Sequence, residues 1–216
     1  MKKLIMINII TLIILAVGGA TLFHFYNESV NYVKTDNAKI DGDQLAIASP
    51  VAGKLVKFNK ETGDKVDKDE KVGTVMGQGA DGKPSKVDIT MPQNGTIVKT
   101  QATENGFVGA GTPIAYAYDL KKLYVTANIK ETEIDGIKKG QDVDVYVDGY
   151  KDTTLSGKVK SIGLATASSF SLLPSSNGNA NFTKVTQVIP VKVELSTDKS
   201  LDVIPGMNVT VRIHKN

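Results

Sequence analysis

The stretch SPVAGKLVKFNKETGDKV, Ser49–Val66, is followed at Met91–Val108 by a second of the same design, MPQNGTIVKTQATENGFV. The two align without gaps at an offset of about forty residues, and Pro50 falls on Pro92, Gly53 on Gly95, Val66 on Val108 and Val72 on Ile114. In each copy a Pro and a Gly open a short apolar run, Leu55 and Val56 in one and Ile97 and Val98 in the other. A second turn signal follows, at Gly63 and Asp64 and at Asn105 and Gly106. Each copy therefore reads as strand, turn, strand. A short β-unit of this kind leaves one apolar face bare, so two copies can bury each other's faces in a pseudo-symmetric, flattened β-sandwich.

Outward from the repeat, the chain carries an apolar segment near its start. Leu4–Tyr26, LIMINIITLIILAVGGATLFHFY, contains no Asp, Glu, Lys or Arg and has about the twenty residues needed to cross a bilayer. It reads as a transmembrane anchor, with a cleavable secretory signal as the competing reading because AVGGA offers small residues to a peptidase. The apolar run continues through Leu22, Phe23 and Phe25, longer than a usual signal core, which favours an uncleaved anchor. Lys2 and Lys3 precede it, so the positive-inside bias expects residues 1–3 in the cytoplasm and everything from about Asn27 outside.

The 216 residues carry 26 basic and 23 acidic side chains; setting aside Lys2 and Lys3 leaves 24 against 23, so the exported part is close to neutral. That balance argues against nucleic-acid binding or a polybasic membrane surface. There is no cysteine, hence neither a disulfide framework nor a lipoprotein anchor.

Residues 27–44 read as a linker followed by a strand over Tyr32–Ile40, and residues 45–119 hold the repeat pair. Between its copies GQGADGKPSK, Gly77–Lys86, reads as a loop. Residues 120–216 change character. LYVTANI (Leu123–Ile129) and VDVYVDG (Val143–Gly149) alternate apolar and polar residues. Ile134, Ile137 and a stop at Gly140 suggest one or two helical turns between them. Further strands are expected at Gly157–Leu164, Thr186–Leu195 and Met207–Ile213, which together imply a small β-barrel with one short helix. The 32–40 strand would complete this barrel and make the domain discontinuous. The long connection from Ala165 to Lys184 is polar but carries Phe170, Leu172, Leu173 and Phe182, which with Asn181 are candidate partner contacts on a docking surface, the alternative being that the stretch folds back onto the barrel.

Catalytic chemistry finds little support. The two histidines are His24 and His214, there is no thiol, and TASSFS matches no nucleophile elbow. Carboxylates group at Glu131, Glu133 and Asp135, and at Asp142, Asp144 and Asp148, which on a strand would share a face. Such a face could hold a hard cation or simply be solvated among lysines; no calcium-loop pattern supports the former, and no metal is assigned.

The repeat pair resembles the biotinyl/lipoyl domain, whose halves meet at a turn that displays a cofactor-bearing lysine. Lys83 and Lys86 lie near that place, but the surrounding GKPSKVD lacks the family's Met-Lys-Met or Asp-Lys-Ala setting, so no cofactor is assigned. The whole chain resembles the membrane fusion proteins of the HlyD family, in particular the EmrA-like branch. The resemblance rests on YVKTDNAKIDGD (Tyr32–Asp43), SPVAGKL (Ser49–Leu55), ANIKETEI (Ala127–Ile134), GQDV (Gly140–Val143) and FSLLPSSNGNANFTKVTQVIPVKVEL (Phe170–Leu195). It implies a mainly β fold: a transmembrane helix, a lipoyl-like sandwich built from two half-motifs whose turns are Pro50, Gly53, Gly63, Asp64, Pro92, Gly95, Asn105 and Gly106, then a β-barrel.

It further implies a non-catalytic adaptor of an efflux transporter of the major facilitator type, working as a homo-oligomer and exporting drugs or amphipathic compounds. The alternative is a solitary surface-anchored module that serves no pump. Family members insert a long coiled-coil hairpin between the lipoyl halves. Here the Gly77–Lys86 loop replaces it, and ten residues out and back reach only roughly 15 Å, which suggests an envelope with no outer membrane to reach.

Overall fold

The computed structural model describes residues 2–78, 82–101, 103–150, 153–170, 186–196 and 203–215. A single α-helix, α1 (Lys2–Asn31), precedes β1 (Tyr32–Asp41). The repeat region then supplies β2 (Gln44–Ala48), β3 (Gly53–Phe58), β4 (Lys65–Val66), β5 (Lys71–Gln78), β6 (Pro84–Thr90), β7 (Gly95–Thr100), β8 (Phe107–Val108) and β9 (Pro113–Tyr118). β10 (Tyr124–Lys130), β11 (Asp142–Val147), β12 (Thr154–Ile162), β13 (Val188–Leu195) and β14 (Asn208–His214) follow. Two compact units result, one drawn from Met1–Lys39, Val125–Ser200 and Met207–Asn216, the other from Ile40–Tyr124 and Leu201–Gly206.

The repeat unit is a sandwich of two four-stranded sheets, with orders β2-β9-β7-β4 and β6-β5-β3-β8. The strands of one copy do not pair with each other as a hairpin would. After its turn each copy sends a two-residue strand to the other copy's sheet: β4 pairs with β7, Val66 opposite Gly95, and β8 pairs with β3, Val108 opposite Gly53. The backbone bonds are reciprocated. Gly63 donates to Ile97 O at 2.8 Å and Asn105 to Leu55 O at 2.8 Å; Ile97 N–H returns to Asp64 O and Leu55 N–H to Gly106 O, both at 2.9 Å. Exchange is favoured because a two-residue strand beside its own partner would bury almost nothing, whereas across the sandwich Val66 closes the common core. That core holds Ile47, Leu55, Val66, Val72, Val75, Ile89, Met91, Ile97 and Ile114, all buried.

Turn chemistry follows the same symmetry. Gly63 has φ +102° and its counterpart Asn105 φ 67°, the left-handed region that Gly occupies freely and Asn more readily than most residues.

The segment between the copies differs from the expected loop. β5 runs through Gln78 and β6 begins at Pro84, with Gln78 opposite Pro84, Gly77 opposite Ser85 and Met76 opposite Lys86. It is a β-hairpin whose strands absorb both ends of Gly77–Lys86, namely Gly77, Gln78 and Pro84 to Lys86. Pro84 is compatible with this because it opens an edge strand, where a missing N–H breaks no interior ladder.

In the other unit, six strands close a barrel in the order β1-β10-β13-β12-β11-β14. β1 pairs antiparallel with β14, Val33 opposite Ile213 and Thr35 opposite Val211, and so joins a strand from before the repeat to the C-terminal one. Period-2 alternation fills the interior with Val125, Ala127, Ile129, Val143, Val145, Val159, Val191, Val193, Val209, Val211 and Ile213, all buried.

One expectation holds and one is corrected. The helical turns between β10 and β11 form one 3₁₀ segment, Glu131–Gly136, which Gln141 staples by accepting from Lys138 N–H (2.8 Å) and donating to Gly136 O (3.1 Å). Residues 27–31 are no linker: α1 continues to Asn31 and runs directly into β1. The Lys215 N–H donates to Asn31 O at 2.7 Å and its ammonium to Ser29 O at 3.1 Å, so two of the carbonyls freed at the helix end find donors on the residue that follows β14.

Candidate functional site

The lipoyl-type turn residues occupy structural posts. Pro50 and Pro92 sit exposed in the bends before β3 and β7. Gly53 and Gly95 lie where strands cross closely: a Cβ on Gly53 would stand 2.2 Å from Met76 O, and one on Gly95 3.1 Å from Tyr118 O. Asp64 closes its own turn by accepting the Glu61 N–H at 2.9 Å, and Gly106 N–H bonds Thr103 O at 3.0 Å. Lys86 lies within β6, in register with Met76, rather than at a tight turn, and Lys83 stands just before that strand.

The carboxylates of β11 do share the barrel's outer face, as alternation requires, but cations meet them. Asp142 accepts from Lys158 Nζ at 2.5 Å across the β11–β12 pair. The hydrogen bond and charge of Lys158 hold the Asp142 carboxyl below its ordinary range. Asp144 Oδ2 accepts from Arg212 Nε (3.2 Å) and Nη2 (3.0 Å) and lies 3.0 Å from His214 Nε2. Arg212 in turn lies over the Tyr32 ring, 4.4 Å from its centroid, and Tyr32 meets His214 edge to face at 4.9 Å. This knot ties β1, β11 and β14 together where β1 leaves α1, and among the described residues no group of three or more His, Asp and Glu side chains could hold a metal. Glu133 stands 4.0 Å from Lys130. The sequence marked these acidic residues; the partners of Asp142 and Asp144 come from strands up to seventy positions away, which no local pattern reveals.

The expected docking stretch is visible only at its root. Leu172, Leu173, Asn181 and Phe182 lie outside the described residues, and for Phe170 the backbone is described, ending the 3₁₀ segment Ala167–Phe170. That root is fastened to β13 and the residue before it: Gly163 N–H donates to Pro190 O at 2.8 Å and Ser168 Oγ to Gln187 Oε1 at 2.5 Å. At its start stands Leu164, a large apolar side chain that is fully exposed. The sandwich unit shows a second such residue, Phe107, 87% exposed. Sequence reading passed over both. For Phe107 a signal existed: its counterpart in the first copy is Lys65, so an exposed post holds lysine in one copy and phenylalanine in the other.

Comparison with known proteins fits this architecture. Residues 43–119 match the YhbJ barrel-sandwich hybrid domain, and residues 122–214 the AAEA-like beta-barrel domain. YhbJ of Bacillus subtilis (strain 168), named as a candidate efflux system component, is 45% identical over 98% of this chain and 92% of its own length. The multidrug export protein EmrA of Escherichia coli (strain K12) is 32% identical over 58% of this chain, which spans only 33% of that longer relative. Among solved structures, the periplasmic adaptor protein EmrA aligns with TM-score 0.56 and 12% identity over 87% of this chain and 99% of its own. The membrane fusion protein Spr0693 of Streptococcus pneumoniae R6 aligns with TM-score 0.60 and 12% identity over 86% of this chain and 99% of its own. Efflux adaptors of this kind are membrane-anchored, non-catalytic partners of a transporter, and α1 fits a single pass. The chain belongs to the EmrA/YhbJ group of efflux membrane fusion proteins.

Proposed function

We propose that this adaptor serves a transporter of the major facilitator type in its own membrane, assisting export of drugs or other amphipathic compounds, with residues 1–3 cytoplasmic and both β-units on the outer side. The observation that carries the reading is the join of α1 to the barrel. The helix passes into β1 without an intervening linker, and Lys215 fastens its last turn. A barrel attached this way stays at the bilayer surface, where a transporter spanning the same membrane is the partner within reach. A shared membrane also raises the effective concentration of the pair without new contacts.

The missing insertion points the same way. Because β5 and β6 form a hairpin with Gln78 opposite Pro84, the sandwich carries no arm that could span a periplasm, which suits an envelope with one membrane. Leu164 and the stretch it opens, with Phe170, Leu172, Leu173, Asn181 and Phe182, are the proposed contacts with transporter or neighbouring protomer. The adaptor is proposed to act as a homo-oligomer, without catalytic residues or cofactor.

The test is affinity purification of the tagged full-length protein from its own membranes in mild detergent, after crosslinking, with identification of every co-purifying protein. Stoichiometric recovery of a many-spanning transporter is expected. Recovery of the adaptor alone would refute the reading and leave a solitary envelope module.

A further inference from the structure

We infer that the junction of α1 with the barrel is a binding site for one phospholipid whose headgroup carries both a phosphate and an amine. A cavity of about 360 Å³ opens there, lined by Phe25, Glu28, Tyr32, Lys34, Glu133 and Lys215 among others. Its volume lies within the range of small-ligand sites.

The depth of this cavity is set by the helix. Leu4–Tyr26 is about 34 Å long at 1.5 Å per residue, enough to cross a hydrocarbon layer of about 30 Å. Glu28 and Ser29 stand two and three residues past its end, about 3–5 Å farther along the axis. Headgroups occupy the next 5–7 Å or so on each side of the hydrocarbon. The polar lining therefore lies at headgroup level, and Phe25, one residue before the end of the apolar run, lies where acyl chains begin. No other ligand is present at so high a concentration at that depth.

Charge selects the headgroup. Lys34 is exposed on β1, and Lys215 uses one of its three ammonium donors on Ser29 O, which leaves two for a phosphate. Against these two cations stand two carboxylates, Glu28 and Glu133. Each has a partner only at the long limit of an ion pair, Glu28 at 3.9 Å from His24 and Glu133 at 4.0 Å from Lys130, and keeps further acceptor sites. The carboxyl end of α1 adds partial negative charge and has no basic residue of its own in the last turn. A purely anionic headgroup would satisfy the lysines and face two carboxylates. A headgroup with an ammonium beside its phosphate answers both signs.

The experiment uses delipidated full-length protein in neutral detergent. Dioleoyl phosphatidylethanolamine or dioleoyl phosphatidylglycerol is added, and bound lipid is counted by native mass spectrometry. Wild-type protein is expected to retain one phosphatidylethanolamine per protomer and to prefer it to phosphatidylglycerol by about tenfold. In Glu28→Gln with Glu133→Gln that preference is expected to vanish while phosphate-dependent retention persists. Lys34→Gln is expected to weaken both lipids by about fivefold, with an unchanged far-UV circular dichroism spectrum. Uptake that never saturates at one lipid, equal retention by wild type and Lys34→Gln, or a preference for phosphatidylglycerol would each overturn the inference. None of these outcomes bears on which transporter the adaptor serves.

Discussion

Gly53→Ala and Gly95→Ala change matching positions of the repeat, yet they are expected to differ in cost. A Cβ on Gly53 stands 2.2 Å from Met76 O and 2.8 Å from both Met76 C and Val75 Cγ1. Carbon and oxygen ordinarily approach to about 3.3 Å, so β5 must retreat by about 1 Å although it is held in register by β6 on its other side. On Gly95 the nearest atoms are Met91 Cε and Tyr118 O, both at 3.1 Å, and the first is the free end of a flexible side chain. Overpacking a core costs about 1–3 kcal/mol, while the restricted unfolded chain returns about 0.4–1 kcal/mol. The net expectation is a loss of about 2 kcal/mol for Gly53→Ala and about zero to 1 kcal/mol for Gly95→Ala. Hydrogen exchange of the full-length protein in detergent, read by mass spectrometry on peptides covering β3 and β5, measures this locally. Amides there should exchange roughly thirtyfold faster in Gly53→Ala. Equal acceleration in the two variants, or a larger effect from Gly95→Ala, would show that backbone approach is not what requires glycine at this post.

The remaining predictions concern charge, topology and surface. Asp144→Asn weakens the knot that Arg212 and His214 share, and should destabilise the barrel by about 1–2 kcal/mol in urea unfolding; Lys158→Gln, which breaks an exposed pair, should leave the urea midpoint unchanged. The Glu70 carboxyl is held below its ordinary range by hydrogen bonds from Lys60, at 2.6 Å, and from Asp67 N–H, at 3.1 Å. Its contribution is complete above the unfolded value of about 4.3 and is lost as pH falls through the lower folded value. Acid unfolding of Glu70→Gln should therefore show a shallower dependence on pH across that window, and an unchanged slope would remove the ion pair from the account. Because the chain has no cysteine, a single Ser29→Cys should react with an impermeant maleimide added to intact cells, and Lys3→Cys should not; the reverse pattern would invert the proposed orientation. Phe107→Lys, which places the first copy's residue in the second, should change folding stability by no more than about 0.5 kcal/mol. Any fall in oligomer size by light scattering would then identify that face as a contact between protomers.

Much of this molecule could be read from local pattern. The repeat was visible because turn residues are demanded one by one: Gly63 and Asn105 need a left-handed backbone, and Gly53 and Gly95 need room for a neighbouring strand. The N-terminal helix was visible because its composition is extreme, and the barrel strands because their residues alternate between core and solvent. The helix boundary departs from local pattern at Asn27–Asn31, a polar run that by itself suits a linker. It stays helical because Lys215, at the far end of the chain, supplies donors to its last carbonyls.

Pairing is what local pattern leaves open. Two residues such as Lys65 and Val66 carry no mark of the sheet they will join, since ladder hydrogen bonds come from backbone groups that every residue shares. Only the assembled sandwich decides that Val66 faces Gly95 and Val108 faces Gly53, because that exchange lets both copies close one core. The outer face of the barrel shows the same division. Alternation placed Asp142 and Asp144 together, but the fold chose their partners, bringing Lys158, Arg212 and His214 across the neighbouring strands. Sequence by itself determined the elements and the fold family. Tertiary structure decided which strands meet, which charges are matched and which apolar side chains, Leu164 and Phe107 foremost, are left facing outward, because these depend on contacts between residues far apart in the chain.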